Sequence, residues 1–311
     1  MIINTGCRTD IPAFYSKWFI NRIREGYVLV RNPYYPNQVT KYILNPEVVD
    51  SIEFCTKNPE PMLKYLDQIK NFKQFWYVTI TPYGKDIEAN VPTKDKVINS
   101  FKKLSSKVGK EFVGWRYDPI FINEEFNVNK HIEKFEYIVQ ELKGYTKRCV
   151  ISFLDLYEKV KRNAPDLKPP TKDEQIILAK QFVKIGNQNG IEIYSCCESE
   201  FLSEYGVNTI GCRNKEFVEE TIGHKLNVPK IKNTRENCNC LMGNDIGAYN
   251  TCGHFCKYCY ANSNKGLVID NMRKHNENSP FLIGGYETGD KITEAKQKSW
   301  IINENEQMKL F

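Results

Sequence analysis

Cys252-Gly-His-Phe-Cys256-Lys-Tyr-Cys259 sets three thiols at a C-x3-C-x2-C spacing on one short stretch. Thiolates so spaced can converge on three irons of a cubane [4Fe-4S] cluster and leave the fourth iron without a protein ligand. A fourth cysteine would instead close the cluster as an electron carrier. An open iron can bind and cleave a small molecule. Two other readings stay open. Structural zinc takes four thiolates from paired knuckles, which Cys238, Cys240, Cys256 and Cys259 could supply, and reduced thiols are common as plain buried residues. Gly253 lets backbone N–H groups approach cluster sulfurs. His254 reads as an exposed loop residue, with a donor beside the cluster as the alternative, and Asn262 as the cap of a following helix, with a ligand contact as the alternative.

Five of the 11 cysteines lie between Cys238 and Cys259. Cys238 and Cys240, taken with Cys197 and Cys212, would make four thiols, enough for a second cluster or a structural zinc. Cys7, Cys55 and Cys149 fall in or beside strands and read as core or rim thiols. The first residues carry no basic segment followed by a long apolar one, so a cytoplasmic, reducing compartment is expected and clustered thiols read as metal ligands rather than disulfides.

The 311 residues suit one large α/β domain with an appendage, or two small domains, and 41% apolar content supports a buried core. No apolar run reaches the roughly 18 residues of a membrane span. A net charge of +6 permits an anionic small molecule, or nucleic acid, without pointing to either.

The elements that must position the thiols alternate in type. Candidate strands are Ile2–Asn4, Tyr27–Arg31, Ser51–Cys55, Phe75–Thr81, Phe112–Tyr117, Cys149–Leu154, Glu192–Cys196 and Thr209–Gly211. Between them lie amphipathic stretches at Ala13–Glu25, Met62–Ile69, Lys94–Val108, Lys130–Lys143 and Lys172–Asn187, with helix-start signals at Asn45-Pro46-Glu47, Pro92-Thr93 and Pro170-Thr171. This alternation predicts a parallel sheet, as a (β/α)8 TIM-barrel-like or partial barrel over residues 1–222, with a doubly wound sheet as the alternative. Residues 223–311 form a cysteine-rich extension and tail, in which Lys291–Phe311 reads as a surface helix with a frayed end.

Polar residues gather after the strands, where a barrel collects its active-site rim. Arg8, Arg31, Arg116 and Arg213 recur at such ends and suit a carboxylate or phosphate ligand, with Asp118 and Glu198 as polar partners.

The triad also resembles that of radical S-adenosylmethionine (SAM) enzymes, in which the aromatic before the third cysteine packs near the SAM adenine; Tyr258 holds that position. Gly284-Gly285-Tyr286-Glu287 is similar to the Gly-Gly-Glu turn that holds the SAM amine, although a plain glycine turn ending a docking segment is the favoured reading. Several separated motifs occur in order: Thr5-Gly6-Cys7-Arg8-Thr9-Asp10-Ile11-Pro12, Arg31-Asn32-Pro33, Trp115-Arg116-Tyr117-Asp118-Pro119, Cys197-Glu198, and Asp245-Ile246-Gly247-Ala248-Tyr249-Asn250-Thr251-Cys252. Together they resemble a bacterial and archaeal family known as domain of unknown function 1848, whose late cysteine triad is similar to that of radical SAM enzymes such as spore photoproduct lyase. The resemblance implies an iron–sulfur protein and supplies no substrate. The expectation is therefore a radical SAM-type enzyme with a [4Fe-4S] cluster, SAM and an electron donor such as flavodoxin or ferredoxin. An electron-transfer iron–sulfur protein and a zinc-binding module are the rivals.

Overall fold

The computed structural model describes residues 1–229, 238–241 and 243–302. In chain order these form β1 (Ile2–Asn4), α1 (Ile11–Phe14), α2 (Ser16–Glu25), β2 (Tyr27–Arg31), β3 (Gln38–Ile43), β4 (Ser51–Thr56), β5 (Gln74–Thr79), α3 (Lys94–Val108), β6 (Val113–Ile120), α4 (Val128–Leu142), β7 (Arg148–Phe153), α5 (Glu158–Asn163), α6 (Lys172–Gln188), β8 (Glu192–Ser195), α7 (Lys215–Ile222), β9 (Asn244–Asp245), α8 (Lys265–Arg273) and β10 (Lys291–Glu294). The expected segment Met62–Ile69 is a 3-10 helix, Glu60–Ile69.

Seven strands form one sheet in the order β8-β7-β6-β5-β4-β1-β9, and every neighbouring pair is parallel. Successive strands of the chain lie side by side from β4 to β8, which removes the strand-order reversal of a doubly wound sheet. Among the described residues no closed barrel forms, because β8 and β9 are the two edges. Two of the eight expected strands do not close it. Tyr27–Arg31 leaves for a separate sheet, pairing antiparallel with β3, which in turn pairs with β10. Thr209–Gly211 makes no strand, and only an isolated bridge joins Tyr194 to Asn208. The expected helix at Lys291 begins instead as β10, and residues 303–311 lie outside the described residues. Asn45-Pro46-Glu47 opens a turn, not a helix.

Side-chain alternation assigns the two faces of the large sheet. Ile3, Ile52, Phe54, Trp76, Val78, Trp115, Cys149 and Ile151 point to the helices and build the main core with α2, α3, α4 and α6. Phe54 stacks on Trp76 at 3.9 Å between ring centroids, and Phe135 on Phe182 at 3.8 Å. Helix ends follow local chemistry. Thr171 and Glu174 form a capping box at α6, and Gly26 ends α2 at φ 76°, a conformation that glycine adopts without steric cost.

The neighbouring residues Ile2, Phe75, Tyr77, Val150 and Tyr194 point to the opposite face, where α7 covers them together with Cys196, Cys212 and Cys240. The segment after residue 222 is threaded through the molecule, contributing β9 to one sheet and β10 to the other.

Candidate functional site

The triad loop lies over the carboxyl ends of β1, β4 and β5, held by a set of straps. Lys257 N–H donates to Ile87 O at 2.9 Å, and Asn90 donates from its backbone to His254 O at 3.0 Å and from its side chain to Gly253 O at 2.8 Å. Tyr15 Oη donates to Thr251 O at 2.6 Å, and Tyr260 Oη reaches back to Cys7 O. Asn262 donates to Cys252 O at 2.7 Å, tying off the two ends of the triad; the cap of α8 is Asn264. Asn250 and Phe255 both take left-handed φ, at 57° and 53°, a costly backbone for non-glycine residues that the surrounding bonds maintain. The three thiols are near enough to act on one another electrostatically. Burial pushes Cys256 up to about 12, with the Lys57 ammonium opposing, and pushes Cys252 well above the usual thiol range. Metal binding would displace those protons.

His254 is buried rather than exposed. Its Nε2 lies 2.8 Å from Asp10 Oδ2, its ring meets Phe14 edge-on at 4.6 Å, and its Nδ1 has no hydrogen-bond partner. Asp10 also accepts from Lys57 N at 2.8 Å and caps α1. Beneath the loop, Tyr258 packs with Tyr83 and Phe121, and its hydroxyl donates to Glu88. Glu88 further receives Thr81 Oγ1 at 2.7 Å, Lys57 Nζ at 2.8 Å and Lys94 Nζ at 2.5 Å. Burial would raise this carboxyl, but the two ammonium groups outweigh it and hold the group well below the usual range. Nothing in the sequence separates Glu88 from any other loop carboxylate.

The strand-end arginines each meet a carboxylate of the chain. Arg8 pairs with Asp245 at 2.5 Å, Arg116 with Asp118 at 2.7 Å, Arg31 with Asp290, and Arg213 with Glu53. Arg31 belongs to the smaller sheet, where it also donates to Gly285 O at 2.7 Å. Gly284 and Gly285 form a turn beside it, with Gly284 at φ 70°. The structure thus gathers Arg116, Asp118 and Cys212, with Arg116 Nη1 3.8 Å from the sulfur, and leaves Arg31, Gly284 and Gly285 on another part of the molecule. Glu198 accepts from Ser152 Oγ at 3.0 Å and Phe153 N at 2.8 Å, and burial raises it to about 7.

A second group of thiols fills the face covered by α7. Cys196 Sγ lies 3.9 Å from Cys197 Sγ and 3.6 Å from Cys212 Sγ, while Cys212 Sγ lies 3.3 Å from Cys240 Sγ. Cys238 interacts with both Cys197 and Cys240. Cys197, Cys212, Cys238 and Cys240 were expected together; Cys196 was not, although its adjacency to Cys197 is visible in the sequence. Among the described residues, no group of three or more His, Cys, Asp or Glu side chains stands ready-formed to hold a metal ion.

A family model described as "Domain of unknown function (DUF1848)" matches residues 2–261. The chain belongs to this family. The match spans both sheets' main strands and ends just beyond Cys259, so the triad and the five-thiol group both lie within the DUF1848 region. No curated protein and no solved structure matches the chain. No described helix is long and apolar enough to cross a membrane.

Proposed function

We propose that this chain is a radical SAM-type iron–sulfur enzyme in which Cys252, Cys256 and Cys259 hold a [4Fe-4S] cluster with one open iron. The observation that carries the reading is the strapped triad loop, whose partly buried thiols lie over the carboxyl ends of parallel strands. The donor set fits the group: three cysteines on one loop, no disulfide among them, and a buried His254 Nδ1 still without a partner. When bound, such a cluster supplies one-electron reduction of SAM, and a flavodoxin or ferredoxin would deliver the electron. The consecutive strand order from β4 to β8 supports a partial-barrel reading of the sheet.

The chain's own residues divide the remaining work. Glu198, raised to about 7, can take or give a proton near neutral pH. Arg116, held by Asp118, would present its guanidinium to an anionic substrate group only by sharing it with that carboxylate. The Arg8 and Arg31 guanidinium groups are spent on internal carboxylates, so an anionic substrate would have to compete for them. Tyr258 roots the loop through Glu88, and its ring, packed with Tyr83 and Phe121, would have to shift to border the adenine. A surface concavity of about 410 Å³ beside Tyr260 and Ala261, lined also by Tyr157, Lys159 and Tyr249, offers stacking faces and a cation next to the triad.

Anaerobically reconstituted protein given dithionite and SAM is expected to form 5′-deoxyadenosine, and the Cys252→Ala variant is not. An intact cluster by EPR with no such product would overturn the enzyme reading and favour electron transfer.

A further inference from the structure

The five thiols on the α7 face come from three separate segments, the end of β8, the turn at Cys212, and the stretch just before β9. A tetrahedron of thiolates about 2.3 Å from a central zinc has edges of about 3.8 Å. The Sγ–Sγ separations of 3.9 Å and 3.6 Å match that edge, and 3.3 Å falls a little inside it. A cubane needs its cysteine sulfurs spread wider, one to each iron corner. Two neighbouring arginines favour a charged thiolate centre. Arg116 Nη1 lies 3.8 Å from Cys212 Sγ, and the Arg213 side chain follows directly, anchored on Asn4 Oδ1 at 3.0 Å and on Glu53. Cys197 is held at φ 59°, a strained backbone for a side chain that must turn towards its neighbours.

We propose that four of the thiols of Cys196, Cys197, Cys212, Cys238 and Cys240 bind one zinc ion, as a structural centre separate from the triad. Zinc binding exchanges thiol–thiol contacts for metal–sulfur bonds through side-chain rotation, and each thiol that binds releases its proton to solvent. Cys212 and Cys240 form the closest and most buried pair and belong to the ligand set. The ion joins the edge strand β8 to the segment that leads into β9, fixing the return of the chain that delivers the triad loop to the sheet.

The test separates the two centres. A Cys252→Ala/Cys256→Ala/Cys259→Ala variant, purified anaerobically, is expected to carry about one zinc per chain and no iron or acid-labile sulfide. A further Cys212→Ser or Cys240→Ser change should abolish that zinc. Cobalt titrated into the metal-stripped triad variant should give the intense visible bands of tetrahedral thiolate coordination, a readout that stands even where the serine variants fail to fold. Iron with sulfide in the triad variant would overturn the proposal in favour of a second cluster. A metal-free chain with a Cys212–Cys240 disulfide in the mass spectrum, or no tetrahedral cobalt signature, would overturn it outright.

Discussion

Glu198 is where burial has its clearest titration consequence. Its carboxyl is raised to about 7 because burial disfavours the charged form more than Phe153 N and Ser152 Oγ favour it. The folded state therefore holds its proton more tightly than the unfolded chain, so stability is lost as pH rises from the ordinary glutamate range through 7. The penalty is on the order of 3 kcal/mol. Glu198→Gln keeps the acceptor without the charge, and urea unfolding of the metal-free variant should lose correspondingly less stability than the wild type between pH 5 and pH 8. An equal pH dependence in both would disprove the assignment. Glu88 works in the opposite sense. Its charged form is held by Lys57 and Lys94, and Glu88→Gln leaves two ammonium groups buried with weakened partners. A loss of about 3–5 kcal/mol is expected, read as a lower denaturation midpoint. Neither residue is marked by its sequence neighbours, since burial and partner charge arise only when distant segments meet.

At the scale of elements, local pattern carried much of the assignment. The expected span of α3, Lys94–Val108, is the observed one, and Thr171 with Glu174 makes the capping box that its spacing implies. Partner choice was not legible. Tyr27–Arg31 has the pattern of any half-buried strand, yet it pairs with β3 in the small sheet because a turn at Pro33–Asn37 returns the chain beside it. Lys291–Glu294 is exposed along its whole length and is a strand only because β3 offers it an edge. The triad loop depends likewise on an element far from it in sequence. Asn90, between β5 and α3, supplies two of its straps. Asn90→Ala should cost about 1 kcal/mol and speed the loss of iron to a chelator from the reconstituted protein. Unchanged chelation kinetics would show that the strap does not retain the cluster.

For the whole molecule, the main core of large aromatic and aliphatic side chains lies between the sheet and its helices, and Cys252 and Cys259 lie outside it, with Cys256 only at its margin. Removing all three thiols should therefore leave far-UV circular dichroism and cooperative unfolding of the metal-free chain nearly unchanged while abolishing iron uptake. A collapse of the unfolding transition would mean that the loop supports the fold as well as the cofactor. The opposite behaviour is expected of the five-thiol group, of which Cys196, Cys212 and Cys240 pack inside the second cluster of buried side chains with Phe75, Tyr77 and Phe217, and Cys197 and Cys238 pack against it.

The sequence by itself determined the thiol triad, the alternation of strands and helices, several helix ends and the family, because each is written in spacing, periodicity or local capping chemistry. Tertiary structure decided that the sheet stays open at β8 and β9, that the four arginines meet internal carboxylates, and that Cys196 joins Cys212 and Cys240. These outcomes depend on which distant segments lie within a few ångströms of one another, and side-chain spacing along a chain does not encode that distance.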